Sequence, residues 1–225
     1  MFAAAAGALD GSLRLITYDR RGWGRSTVTG EYRRTSIAEQ SIEAAGMLRE
    51  IDPGPVRVIG LGLGGVVGLE LALAEPELIT AVDMIEPPVF GPLAAATEGM
   101  SADVAAIRAA AETGGEHAAF ELYLGGALNT LGAGAERFSR FADRGPGTAR
   151  AFLVELPAVP AWPLDPVRLA GLEAEVGVVT SPSTPALLGK AADALVTQVP
   201  GAKRIVTTRE PELAPVELLD SSRPA

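Results

Sequence analysis

The sequence predicts an α/β fold, a mostly parallel sheet flanked by helices, and three stretches carry that prediction. Val56-Arg57-Val58-Ile59 is a largely β-branched apolar run, the cluster Gly60-Leu61-Gly62-Leu63-Gly64-Gly65 follows, and an Ala/Leu-rich helical pattern begins at once. That order reads as strand, very tight turn and helix. Residues 175–180, 186–199 and 203–208 repeat a strand, helix, strand order near the C-terminus. Between these parts, residues 91–170 change character to Ala/Gly-rich helical pieces.

At 225 residues the chain is long enough for one domain with a full core and an insertion. A hydrophobic fraction of 48%, without charge-rich low-complexity tracts, argues for a packed globule. The net charge of −9 and the lack of any basic stripe argue against a nucleic-acid partner. There is no cysteine, which excludes a disulfide framework, a thiolate metal site and a cysteine nucleophile together. No apolar run approaches the ~20 residues of a membrane span. Met1-Phe2-Ala3-Ala4-Ala5-Ala6 is short and lacks the basic flank of a signal peptide. A soluble, cytoplasmic protein with no membrane partner is the expectation.

Taken in order, residues 2–9 have helical composition, and Leu13-Arg14-Leu15-Ile16-Thr17-Tyr18 alternates as a buried strand would. Residues 19–26, with glycines at 22 and 24, form a compact loop whose arginines are solvated, locally paired or anion ligands. Ser36-Ile37-Ala38-Glu39 is a capping-box pattern. The helix it opens runs to about residue 50, with Ile37, Ala44, Ala45 and Leu48 on one face. Asp52-Pro53-Gly54-Pro55 stops it before the strand at Val56. Residues 81–88 read as the next strand and its end, and helical pieces are expected at 102–111, 116–128 and 135–142.

The glycine cluster fits two frames. Gly60-Leu61-Gly62-Leu63-Gly64 stands where a G-x-S-x-G nucleophile elbow would place serine at position 62. Gly60, Gly62 and Gly65 also fit the G-x-G-x-x-G of dinucleotide-binding proteins, with Asp83 about 20 positions on to hold a ribose. The segment Tyr18-Asp19-Arg20-Arg21-Gly22-Trp23-Gly24-Arg25-Ser26 closely resembles the D-x-R-G-x-G-x-S loop of the α/β-hydrolases. The capped helix, the elbow, Glu75-Pro76-Glu77-Leu78, the strand end Met84-Ile85-Glu86-Pro87-Pro88 and the later Pro200-Gly201-Ala202 resemble that family in order and spacing. A dinucleotide fingerprint gives no account of the 19–26 loop. The resemblance implies a core of residues 1–90 and 171–225, an inserted helical cap or lid at 91–170, and a sheet whose first strands are missing. An edge left open in that way invites a second copy of the chain or another covering partner.

In catalytic members the resemblance implies a nucleophile at the elbow, an acid after the 175–180 strand and a histidine after the 203–208 strand. Those positions are Gly62, Pro182 and Glu212. Glycine has no side chain to attack with, and the single histidine, His117, falls in the cap, where it reads as a surface or packing residue. Triad chemistry needs a hydroxyl, a base and an acid together, so it is not expected. The leading expectation is a non-hydrolytic protein that binds a small apolar molecule between core and cap, in a pocket including Gly62, Leu63, Trp23 and Tyr123. A second is an enzyme of hydrolase, lyase or cyclase type in which Glu86, Glu212 or Asp19 serves as acid or base. A third is a dinucleotide binder using Gly60, Gly62 and Gly65. No metal site is expected, and the first two readings need no cofactor.

Overall fold

A computed structural model describes residues 13–28, 30–131, 148–211 and 213–220. Helix α1 (Ile37–Ile51) starts at Ser36, whose hydroxyl accepts the Glu39 N–H while the Glu39 carboxylate takes the Ser36 N–H. Both orphan donors are thus satisfied locally, as the four-residue pattern requires. β1 (Val56–Leu61) runs into the turn at Gly62, and α2 (Leu63–Ala74) leaves it. A single 3-10 turn at Pro76–Leu78 leads into β2 (Ile79–Ile85). The insertion then carries α3 (Ala94–Leu131), broken at Gly115 where φ is 80°, followed by α4 (Thr148–Glu155) and the short α5 (Pro166–Leu169). β3 (Glu175–Thr180), α6 (Ala186–Gln198), β4 (Lys203–Val206) and α7 (Ala214–Asp220) follow. The expected helices at 102–111 and 116–128 are the two arms of α3, whereas 2–9 and 135–142 lie outside the described residues.

The described strands pair in the order β1-β2-β3-β4, and every pairing is parallel. Alternation along the strands divides the core. Val58, Val82, Met84 and Val178 pack with Leu48 of α1, Val66 and Leu69 of α2, and Leu195 of α6 on one face. Ile59, Ile85, Val179 and Ile205 pack with Ala214 and Leu218 of α7 on the other.

Close packing explains Gly60 and Gly68 on either side of the turn. A Cβ on Gly60 would lie 2.3 Å from the backbone of Gly64 and Gly65, and one on Gly68 would lie 2.8 Å from Cγ1 of Val58. They let α2 lie directly against β1 and β2, as does Gly65, whose Cβ would stand 3.0 Å from the Gly60 carbonyl oxygen; Gly62 instead holds the turn with a φ of 59°. Asp83 does not serve a dinucleotide fingerprint. It sits within β2, only 3% exposed, and its carboxylate accepts from Arg57 Nε across the sheet. Gly177 makes room for it, since a Cβ there would stand 2.3 Å from Oδ1.

The strand expected at 13–18 does not form. Those residues join no ladder, and Leu13, Leu15 and Tyr18 are each more than 40% exposed. Alternation makes a segment competent for a sheet, but only a neighbouring strand edge supplies its hydrogen bonds, and here a cavity lies between this segment and β1.

Candidate functional site

A cavity of about 2250 Å3 lies between the turn at Gly62 and the helices of the insertion. Gly62 joins β1 to α2 with φ 59° and ψ −124°; its N–H donates to the Ile85 carbonyl at 2.8 Å and its carbonyl accepts from the Gly65 N–H at 3.1 Å. This is the strained strand-to-helix turn of a nucleophile elbow. A Cβ on Gly62 would meet nothing within 4 Å. α2 has no side-chain cap, so the N–H groups of Leu63 and Gly64 in its first turn have no intrahelical partner. Both residues line the cavity, which therefore receives the positive end of the helix.

The wall beside the elbow is the 19–26 loop. Arg20 donates twice to Glu155 of α4, Nε to Oε1 at 3.0 Å and Nη2 to Oε2 at 2.7 Å, and its guanidinium lies 5.6 Å from the Trp23 ring centre. Burial works against the Arg20 charge, but Glu155 outweighs it and holds the guanidinium above its ordinary value. The pair ties the loop to the insertion. Trp23 lines the cavity, yet its Nε1 is enclosed and has no hydrogen-bond partner among the described residues, so the indole presents its ring surface. Asp19 also lines the cavity, but its Oδ2 accepts the Arg25 N–H at 3.1 Å and braces its own loop. A second tie joins α2 to the chain after α4: buried Glu70 accepts from Trp162 Nε1 at 2.8 Å and from Arg168 at 3.0 and 2.9 Å.

The helices of the insertion give the cavity an aromatic lining. Phe120 and Phe152 meet edge-on at 5.5 Å, and Tyr123 lies 4.3 Å from Phe152 between ring centres. Burial pushes the Tyr123 phenol up to about 12. All three rings line the cavity together with Gly62 and Leu63.

Glu86 closes the site at the end of β2. It is 3% exposed, holds a non-glycine φ of 48°, and lines the cavity. Its N–H donates to the Val179 carbonyl at 2.9 Å, and its Oε1 accepts the Thr184 hydroxyl at 2.7 Å. Thr184 Oγ1 in turn accepts the Ser181 N–H at 2.8 Å, while Ser183 donates to Glu210 at 2.9 Å. Pro182 is exposed in that same loop and does not line the cavity, and Glu212 lies outside the described residues. His117 stands on the second arm of α3 with its side chain 89% exposed, 3.9 Å from Glu121. Sequence reasoning names Glu86, Trp23 and Tyr123 but misses Glu155, Glu70 and Thr184, whose partners lie 90 residues or more away.

The sequence profile of the alpha/beta hydrolase family matches residues 2–221, and the chain belongs to that family. Similar proteins include "Uncharacterized hydrolase YraK" of Bacillus subtilis, 33% identical over 73 residues, which are 32% of this chain and 27% of YraK. "Putative carbamate hydrolase RutD" of Pseudomonas syringae is 40% identical over 67 residues, 29% of this chain and 25% of RutD. The chain thus matches about a quarter of the length of these relatives. Among solved structures, a carboxylesterase of Nitrososphaera gargenis shares the fold with a TM-score of 0.65 and 16% identity, covering 91% of this chain and 76% of that one. No helix among the described residues is long and apolar enough to cross a membrane.

Proposed function

We propose that this chain is a non-hydrolytic α/β-hydrolase that holds a small, largely apolar molecule between its sheet and its helical cap. The observation that carries the reading is Gly62: the elbow conformation is built, and the residue in it has no side chain. The only histidine points away on the exposed face of α3. What remains at the elbow is a pair of backbone donors, from Leu63 and Gly64, beneath aromatic walls. Such a site suits a ligand with an apolar body and one hydrogen-bond acceptor, the body against Trp23 and Tyr123 and the acceptor at the start of α2.

The test is covalent trapping. Intact-mass spectrometry after incubation with an alkyl fluorophosphonate is expected to find no adduct, and p-nitrophenyl esters are expected to release nitrophenol at the buffer rate. A stoichiometric adduct, or turnover well above buffer, would overturn the reading.

A second reading rests on Glu86. A buried carboxylate on a backbone in the left-handed region, at the mouth of a cavity, is the kind of strained acidic group found at working sites. It makes Glu86 a general acid or base for chemistry that needs no nucleophile. Any substrate turnover that survives Glu86→Gln unchanged removes it.

A further inference from the structure

The loops after β3 and β4 meet in a chain of side-chain hydroxyls. The Thr207 N–H donates to the Thr180 carbonyl at 2.8 Å, which extends the pairing of the two strands by one step and sets residues 181–184 beside Glu210. Four steps then join Glu86 to Glu210. Glu86 Oε1 accepts the Thr184 hydroxyl at 2.7 Å, and Thr184 Oγ1 lies 3.4 Å from Ser181 Oγ. Ser181 Oγ lies 3.0 Å from Ser183 Oγ, and Ser183 donates to Glu210 Oε2 at 2.9 Å. One end is 3% exposed and lines the cavity, while the other is exposed at the surface.

Holding the loop in shape does not call for this chain. The Thr184 N–H donates to the Ser181 carbonyl at 3.0 Å, the Ser181 N–H donates to Thr184 Oγ1 at 2.8 Å, and Pro182 and Pro185 each fix one φ. Ser183 and Glu210 are exposed, and water would satisfy both as well as they satisfy each other. An ionised carboxylate only accepts, whereas a hydroxyl both donates and accepts. Thr184 and Ser183 thus each donate outward to a carboxylate, and Ser181 between them can turn its one proton to either neighbour. Residues 179–189 carry no charged side chain, nor do residues 58–69 of the elbow or residues 87–97 that follow Glu86.

We infer that Thr184, Ser181 and Ser183 form a proton relay between Glu86 in the cavity and Glu210 at the surface. The inference rests on the reading in which Glu86 is a general acid or base. Such a group has to regain or shed a proton at every turnover, and a ligand filling the cavity keeps water from that side. For uptake, a solvent proton binds Glu210, and the Ser183 and Ser181 hydroxyls turn to donate towards Thr184. Glu210 then gives its proton to Ser183, Ser183 to Ser181, Ser181 to Thr184, and Thr184 to Glu86. At each hydroxyl one O–H bond breaks as one forms, so the three alcohols are unchanged, Glu210 is a carboxylate again and Glu86 is a carboxylic acid. Release runs the same steps in reverse. The slow link is Thr184 to Ser181: O–H···O contacts span about 2.5–3.0 Å, so this one has to close by about 0.4 Å or more. Side-chain motion on the picosecond to nanosecond scale supplies that.

The experiment is time-resolved infrared difference spectroscopy on the 225-residue protein, with protons released from a caged acid by a laser pulse. The carboxyl band that vanishes in Glu86→Gln reports Glu86. At equilibrium, its carboxylic-acid form is expected to grow as the pH falls in the folded protein. After the pulse, Ser183→Ala and Glu210→Gln are each expected to protonate Glu86 about tenfold more slowly than wild type, the effect of losing one hydrogen-bonded link. The equilibrium titration of Glu86 is expected to stay where it was in Ser183→Ala, and Ser183→Thr, which keeps the hydroxyl, is expected to restore the rate. Equal rates in wild type, Ser183→Ala and Glu210→Gln overturn the relay and leave Glu86 as acid or base. Slowing that Ser183→Thr does not rescue, or that comes with a shifted titration, overturns it in favour of a structural role for Ser183. A Glu86 that never takes up a proton in the folded protein overturns the relay together with the reading it rests on.

Discussion

Replacing Tyr123 by phenylalanine tests whether the cap side of the cavity is dry. The phenol titrates near 10 in an unfolded chain and is pushed up to about 12 by burial in the folded one. The folded state therefore keeps its proton longer. The stability that comes from holding a neutral phenol in the apolar wall is whole below pH 10 and is lost as the pH rises towards 12. Two pKa steps at about 1.4 kcal/mol each make the total close to 3 kcal/mol, of which about 2 kcal/mol is gone by about pH 11.5. With a urea slope of about 2–3 kcal/mol per molar for a chain of this size, the wild-type midpoint is expected to fall relative to Tyr123→Phe by nearly 1 M between pH 9 and 11.5. Absorbance at 295 nm, read as wild type minus variant, is expected to show one phenol ionising last. If the two proteins lose stability in parallel, or the missing phenol titrates near pH 10, Tyr123 is not desolvated and the dry wall is wrong.

Three further outcomes follow from the geometry. Gly62→Ser is expected to fold, because a Cβ there meets nothing within 4 Å. It should lose about 1–2 kcal/mol to its positive φ and remain without esterase activity, and rapid ester turnover would show that a base lies in reach. Gly60→Ala is expected to cost more than about 4 kcal/mol or to abolish folding, since its Cβ would stand 2.3 Å from the backbone of Gly64 and Gly65; a normal melt would contradict the close packing of α2 on β1. Glu155→Ala leaves Arg20 without the partner that holds it, with the pair 27% and 5% exposed at the side chains. A loss of about 2–3 kcal/mol in urea denaturation is expected, with weaker ligand binding because the 19–26 loop and α4 come apart. A loss under about 0.5 kcal/mol would mean that the pair behaves as a surface one.

What could be read from the chain is what is local. The capping box at Ser36 and Glu39 and the glycines packed between β1 and α2 are properties of neighbouring residues, and α1 and the elbow stand where their sequence puts them. β3 runs over the residues expected of it, because an apolar strand buried on both faces has an unmistakable run. Residues 13–18 show the limit of that logic: their alternation is real, but a strand is a relation between two segments. Asp83 shows another, since its distance from the glycines suits a ribose while its partner is Arg57 on the adjacent strand. The insertion is Ala-rich throughout, so composition marks helix without marking ends, and α3 begins at Ala94, well before residue 102. The Glu86 site is legible only in part. Its carboxylate is in the sequence, but its positive φ and the Thr184 hydroxyl that meets it come from chain segments far apart.

The most direct measurement is a calorimetric titration with p-nitrophenyl butyrate, with the ester quantified in the same sample afterwards. At about 0.3 kcal/mol for each of about 15 non-hydrogen atoms, saturable one-to-one binding with a Kd of about 0.5 mM is expected. The ester should be recovered intact, and affinity should fall in Tyr123→Ala. Heat from hydrolysis with free nitrophenol in the sample, or no saturable binding to the wild-type protein, would contradict it.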